Sequence, residues 1–150
     1  MPRRHPSYYR VAGIDLEREM QRLRALDVFA GGSLAAAVPE LRVRRASRRP
    51  NRLGFAVPGE YRLSVTDYPG IRPGDVLETL LHELVHLHVG RSPGAHAWHG
   101  PEFKRALARA MAEAYGIRAR PRSTLHGTYA AELERRRLLG GAQLELPLAS

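Results

Sequence analysis

The chain has no cysteine among its 150 residues. A disulfide framework is thereby excluded, and so is any zinc site built on thiolates. Lysine is nearly absent too: of 24 basic residues only Lys104 is a lysine, and the others are arginine. Acidic residues are the minority, 15 against those 24, which leaves a formal net charge of +9. No apolar run approaches the ~20 residues that a helix needs to cross a bilayer, so a membrane protein is not expected. Met1 to Pro6 leads into no apolar stretch, so a secretory signal is not expected either, and a soluble cytoplasmic protein is the default.

What is present begins with arginine. Residues 1–74 hold 14 arginines and 7 acids, whereas residues 75–150 hold 10 basic residues and 8 acids. Residues 41–52, LRVRRASRRPNR, carry six arginines and no acid. A cluster of that kind suits a partner with a phosphate backbone, a nucleic acid. The plain alternative is an arginine-rich composition spread over a solvated face. A length of 150 residues suits one domain with its own core.

Hydrophobic spacing outlines the elements. Residues 1–13 read as an irregular lead. Leu16, Met20, Leu23 and Leu26 recur at helical intervals and predict a first helix from Asp15 to Phe29, stopped at Gly31-Gly32. Residues 34–38 are ambiguous. Three strands are expected next: one from Leu41 to Ala46, one with Leu53, Phe55 and Val57 on a single face, and one with Tyr61, Leu63 and Val65 on a single face. Pro58-Gly59 marks a turn that makes the last two a hairpin. A helix follows from Asp75, read as its N-cap with Glu78 as capping-box partner, to Val89. Another opens at Pro101, with Phe103, Leu107, Ala110, Met111 and Ala114 as its apolar stripe and Gly116 as its end. A last helix covers Tyr129 to Leu139.

The helix from Asp75 contains His82-Glu83-Leu84-Val85-His86, an H-E-x-x-H pattern. Histidines four apart project from one helical face about a turn apart, so both can reach one Zn2+ ion. A glutamate beside the first histidine is placed to act as general base on water, and the pattern points to a zinc hydrolase. Leu77, Leu80, Leu84 and Leu87 fall on the opposite side, so the helix reads as amphipathic with the chemistry on its polar face. A catalytic zinc needs a third protein ligand. His88 points away from His82 and His86. A histidine six residues past His86 would complete another zincin pattern, but that residue is Ser92. His99 is the better candidate, with His96 and Glu102 as alternatives. Trp98 could line a cleft. Tyr115, His126 and Tyr129 are candidates for stabilising an oxyanion, and Glu78 or Glu102 for bonding a ligand imidazole from outside.

His99-Gly100-Pro101-Glu102-Phe103, downstream of Leu80-Leu81-His82-Glu83-Leu84-Val85-His86, resembles the SprT family of zinc metallopeptidases. Asn51-Arg52-Leu53-Gly54 and the hairpin before the motif helix are also similar, and the resemblance spans roughly residues 15–118. It implies His82, His86 and His99 as metal ligands and Glu83 as the catalytic base. It further implies cleavage of proteins held on, or crosslinked to, DNA. Many family members carry a cysteine zinc ribbon after the protease domain; this chain has no cysteine to build one. Any DNA contact such a ribbon would make then falls to the arginine-rich surface or is missing.

The expected fold is α+β, a small zincin-like domain. It combines an N-terminal helix, a three-stranded and mainly antiparallel sheet, the H-E-x-x-H helix and C-terminal helices. The expected division is an irregular lead over 1–14, the metallopeptidase domain over 15–139 and a flexible tail over 140–150. In that tail Gln143-Leu144-Glu145-Leu146-Pro147-Leu148 resembles the peptide by which bacterial repair proteins dock on the sliding clamp; a final strand packed on the domain is the other reading. Three functional classes follow: a protease of DNA-associated proteins, a zinc peptidase with unrelated substrates, and a non-catalytic zinc-stabilised nucleic-acid-binding module.

Overall fold

The lead is ordered where the sequence reads as irregular. The computed structural model describes residues 4–90, 99–118 and 129–140, with side chains to 136 in the last of these. A 3-10 turn, Pro6–Tyr9, runs into strands β1 (Arg10–Val11) and β2 (Ile14–Asp15), which pair antiparallel. Ala12 and Gly13 both take positive φ, 50° and 82°, the two-residue hairpin turn whose twist matches that of the strands. Strands of two residues are too short for an alternation to show in the sequence. Tyr9 and Val11 are buried in the core. The Tyr8 hydroxyl donates to Val43 O at 3.1 Å and accepts from Val43 N at 3.0 Å, which ties the lead to the sheet.

Helix α1 is Leu16–Arg24, shorter than expected, and is followed by a 3-10 turn at Asp27–Phe29. Asp15 caps it, its Oδ1 accepting from Arg18 N at 3.1 Å. A single helical turn, α2, occupies Ser33–Ala36. Strands β3 (Glu40–Arg45), β4 (Gly54–Val57) and β5 (Arg62–Asp67) form one sheet in the order β3-β5-β4. The β4–β5 hairpin is antiparallel as expected, but β3 runs parallel to β5. The sheet is therefore mixed rather than mainly antiparallel. The chain from β3 crosses to the far edge before it turns back, and that crossing leaves β3 pointing the same way as β5.

Pairing also fixes the faces. Leu41, Val43, Leu63 and Val65 face the core, with Gly54 and Ala56 on the same side. Phe55 and Val57 share a face, as their spacing predicts, but it is the outer face, with Arg42, Arg44, Arg62, Ser64 and Thr66, whereas Leu53, just before β4, is buried at 3% exposure.

Helix α3, Pro73–Val89, begins two residues before the expected start. Pro73 sits in the first turn, where its missing N–H costs nothing. Asp75 is thus inside the helix, its Oδ2 accepting from Arg72 N at 3.3 Å. Sheet, α1, α2, α4 (Pro101–Tyr115) and α5 (Ala130–Gly140) all touch α3. It is buried nearly all round rather than amphipathic toward solvent. Leu77, Leu80, Leu81 and Leu84 are fully enclosed, each contributing about 1.5–3 kcal/mol of hydrophobic stabilisation.

Polar contacts lock the packing. Glu78 does not cap its own helix. Its Oε2 accepts from Tyr129 N at 2.5 Å and Ala130 N at 3.2 Å, at the start of α5. Glu134 of α5 reciprocates, its Oε1 accepting from Gly74 N at 2.5 Å at the start of α3. Each helix thus supplies an anion to the other's positive end. Among the described residues no helix is long and apolar enough to cross a membrane. His96, Trp98, His126 and the tail from residue 141, with its docking motif, lie outside the described residues.

Candidate metal centre

The site is assembled from α3, the start of α4 and the edge of β4. His82 and His86 lie one turn apart on α3, with ring centroids 4.9 Å apart, and both are buried, at 2% and 7% exposure. His99 enters from the turn before α4. Its Nε2 stands 3.2 Å from His82 Nε2 and 3.0 Å from His86 Nε2. The three histidines form one group whose ligand atoms all lie within 4.8 Å of one another. Glu102 is exposed and outside that group. His88 is outside it as well: its ring meets Phe29 edge-on at 5.1 Å, and burial lowers its pKa, against an opposing pull from Glu102.

Three Nε2 atoms turned toward one point make a poor hydrogen-bonding set. A neutral imidazole has a single N–H. One proton shared by two rings leaves the third ring's nitrogen facing a lone pair, whereas a cation accepts from all three. The residues therefore fit a metal ion. Burial, and then the nearby cations Arg52 and Lys104, lower the pKa of His99, which favours the neutral ring that metals bind.

Phe103 is the support of this cluster. Its ring stacks on His86 at 4.3 Å and lies 4.9 Å from both His82 and His99. It is one turn past His99 on α4, so the same helix that brings the third histidine brings the ring that holds all three in place. The sequence marks Phe103 as a member of an apolar stripe and as the end of the His99-Gly100-Pro101-Glu102-Phe103 motif, but not as the ring on which the histidines rest.

Glu83 is buried at 3% exposure. Burial pushes its pKa up to about 8, with Arg52 pulling the other way. Its carboxylate rests against β4 at Gly54, where an added Cβ would stand 2.9 Å from Glu83 Oε2 and 2.6 Å from Thr79 Cγ2. Glycine is required there by close approach rather than by backbone angle. Arg52 and Gly54 are thus part of the setting of Glu83, a role their spacing alone does not reveal.

The candidates for an oxyanion stabiliser fare differently. Tyr115 is buried in a network with α1, its hydroxyl donating to Glu19 Oε2 at 2.8 Å while Arg22 Nε donates to Glu19 Oε1 at 2.7 Å. Tyr129 is 1% exposed, which closes it to a substrate arriving from solvent. Glu78 is engaged by the start of α5.

Among curated proteins and among solved structures, no match to the chain is found. The profile of the SprT-like family matches residues 35–126, a span that holds the sheet, α3, α4 and all three clustered histidines. The chain therefore belongs to the SprT-like family, whose known nature is that of zinc metallopeptidases.

Proposed function

We propose that this protein is a zinc-dependent peptidase acting on proteins held on, or crosslinked to, DNA. The observation that carries the reading is the convergence of His82, His86 and His99 Nε2 atoms beside a buried glutamate. His82, His86 and His99 would hold the ion, and Glu83 would be the general base. When bound, zinc supplies Lewis-acid polarisation of the scissile carbonyl and acidifies the attacking water.

The chain's own groups supply the rest. Glu83 takes a proton from the attacking water on a carboxylate oxygen and returns it to the departing amine nitrogen. Burial raises the pKa of Glu83 and strengthens it as a base, and a dication held by the neighbouring histidines would favour the ionised form that accepts the proton. The buried walls of Phe103 and α3 keep bulk water from competing for that proton. A binding module without turnover has no use for a carboxylate kept at this depth, where an ionised group is costly.

The DNA part of the reading rests on charge. A net charge of +9, with six arginines in 41–52, favours a polyanion and makes affinity fall steeply with salt. DNA would then concentrate the peptidase beside proteins on the same strand, an effective-concentration effect. The test is cleavage of a DNA-bound basic protein, with and without single-stranded DNA, by wild type and Glu83→Gln. DNA-dependent cleavage that the variant loses supports the whole reading. Cleavage indifferent to DNA leaves a zinc peptidase with other substrates. A zinc-loaded wild type without any cleavage leaves the binding module.

A further inference from the structure

The outer face of the sheet is the side α3 does not cover. Cross-strand pairing places three rows on it: Arg62 with Val57, Arg42 with Ser64 and Phe55, and Arg44 with Thr66. These residues frame a depression of about 290 Å³ lined by Arg42, Arg44, Phe55, Val57, Arg62 and Ser64. Phe55 is half-buried at its floor. The guanidinium carbons of Arg44 and Arg52 stand 5.1 and 4.6 Å from its ring centroid.

The charges are unevenly engaged. Arg42 pairs with Glu40, and Arg62 with Glu60. Arg44 and Arg52 make no ion pair among the described residues, and both cations stand against the Phe55 ring, with Arg52 also within electrostatic reach of Glu83. Beside Arg44 on the neighbouring strand, Thr66 is 3% exposed and its Oγ1 has no hydrogen-bond partner among the described residues.

We propose that this face is a platform for single-stranded nucleic acid, with Phe55 stacking a base and Arg44 and Arg52 taking the flanking phosphates. The chemistry selects that occupant. An aromatic ring set among cations offers a flat apolar surface for bases and a charged rim for the backbone, the combination that binds single strands without reading sequence. A duplex hides its base faces and would use the arginines alone. An acidic peptide would likewise leave the ring unused.

Arg52 joins the platform to the metal centre. It touches Phe55 on the outer side, and it acts electrostatically on both Glu83 and His99 on the other. Gly54 and Phe55 are neighbours in β4, Gly54 against Glu83 on the inner side and Phe55 on the outer. A strand lying across Phe55 therefore passes beside Glu83, and a protein attached to that strand is delivered to the site. This deepens the DNA-directed reading and rests on it.

The test is fluorescence anisotropy of the full, zinc-loaded chain with labelled oligo(dT), a duplex of equal length and a polyglutamate peptide. Wild type is expected to prefer oligo(dT). Phe55→Ala should weaken that binding roughly tenfold to a hundredfold, while Phe55→Tyr retains it. Arg44→Ser, at an exposed position, should weaken binding and lower the salt slope by about one. Circular dichroism and the unfolding midpoint confirm that each variant is folded, and hydrolysis of a small peptide should be unchanged in Phe55→Ala. If wild type binds oligo(dT) and folded Phe55→Ala and Arg44→Ser bind it equally well, the platform is overturned while the DNA-directed reading stands. Equal binding of duplex or polyglutamate overturns the stacking role. A wild type that binds no nucleic acid overturns both.

Discussion

Gly54 sets how near the sheet can come to Glu83. A methyl there would press on Thr79 Cγ2 and Glu83 Oε2, and neither can retreat far inside a packed helix. Gly54→Ala is expected to cost about 1–3 kcal/mol of stability by overpacking. It should also lower kcat roughly tenfold to a hundredfold by moving the carboxylate, with zinc content unchanged. Unaltered kinetics in a folded variant would show that the contact does not position Glu83. The histidines separate in the same way. His99→Ala should strip most of the bound zinc, whereas His88→Ala should keep it, because His88 packs on Phe29 away from the cluster. Metal analysis of the two purified variants decides, and equal loss would mean the wrong third ligand. His82, Glu83 and His86 are legible in the sequence because a single helix fixes their relation. His99 is legible through the pattern around it. Gly54, Phe103 and Arg52 are not, because their roles arise only when β4 and α4 meet α3 in space.

The elements themselves follow from local pattern, and their partnerships do not. Alternation marks β3, β4 and β5, yet nothing in a strand records which way its neighbour runs, and β3 proves parallel to β5. Leu53, Phe55 and Val57 form an apolar stripe that would ordinarily face a core. Here the close approach of α3 demands Gly54 on the inner side, which puts Phe55 and Val57 on the outer face, while Leu53 stays buried. Glu78 reads as a capping residue of its own helix, and it caps another. The cross-capping of α3 and α5 makes a prediction at this scale. Glu78→Gln and Glu134→Gln should each cost about 1–3 kcal/mol, the worth of a buried hydrogen bond to a charged group. Urea unfolding measures this, and midpoints unchanged in both variants would show the caps to be dispensable. Because both caps join the same two helices, the double variant should lose less than the sum of the single losses once α5 has detached.

For the molecule as a whole, two surfaces meet at the edge of β4: the buried histidine cluster with Glu83, and the arginine-framed outer face of the sheet. Net charge and the 41–52 arginine cluster are what the sequence offers toward the proposed polyanion partner, but only the strand register shows which arginines share a face with Phe55. On the proposed reading the cluster would do the chemistry and the sheet would choose where it happens. The most direct test of the chemistry is to measure zinc per chain and peptide hydrolysis together in wild type and in Glu83→Gln. One zinc per chain in both proteins, with hydrolysis confined to wild type, is the result expected of a metal centre whose base is Glu83. Full hydrolysis by Glu83→Gln, or a wild type that hydrolyses equally well after its metal has been removed, would contradict it.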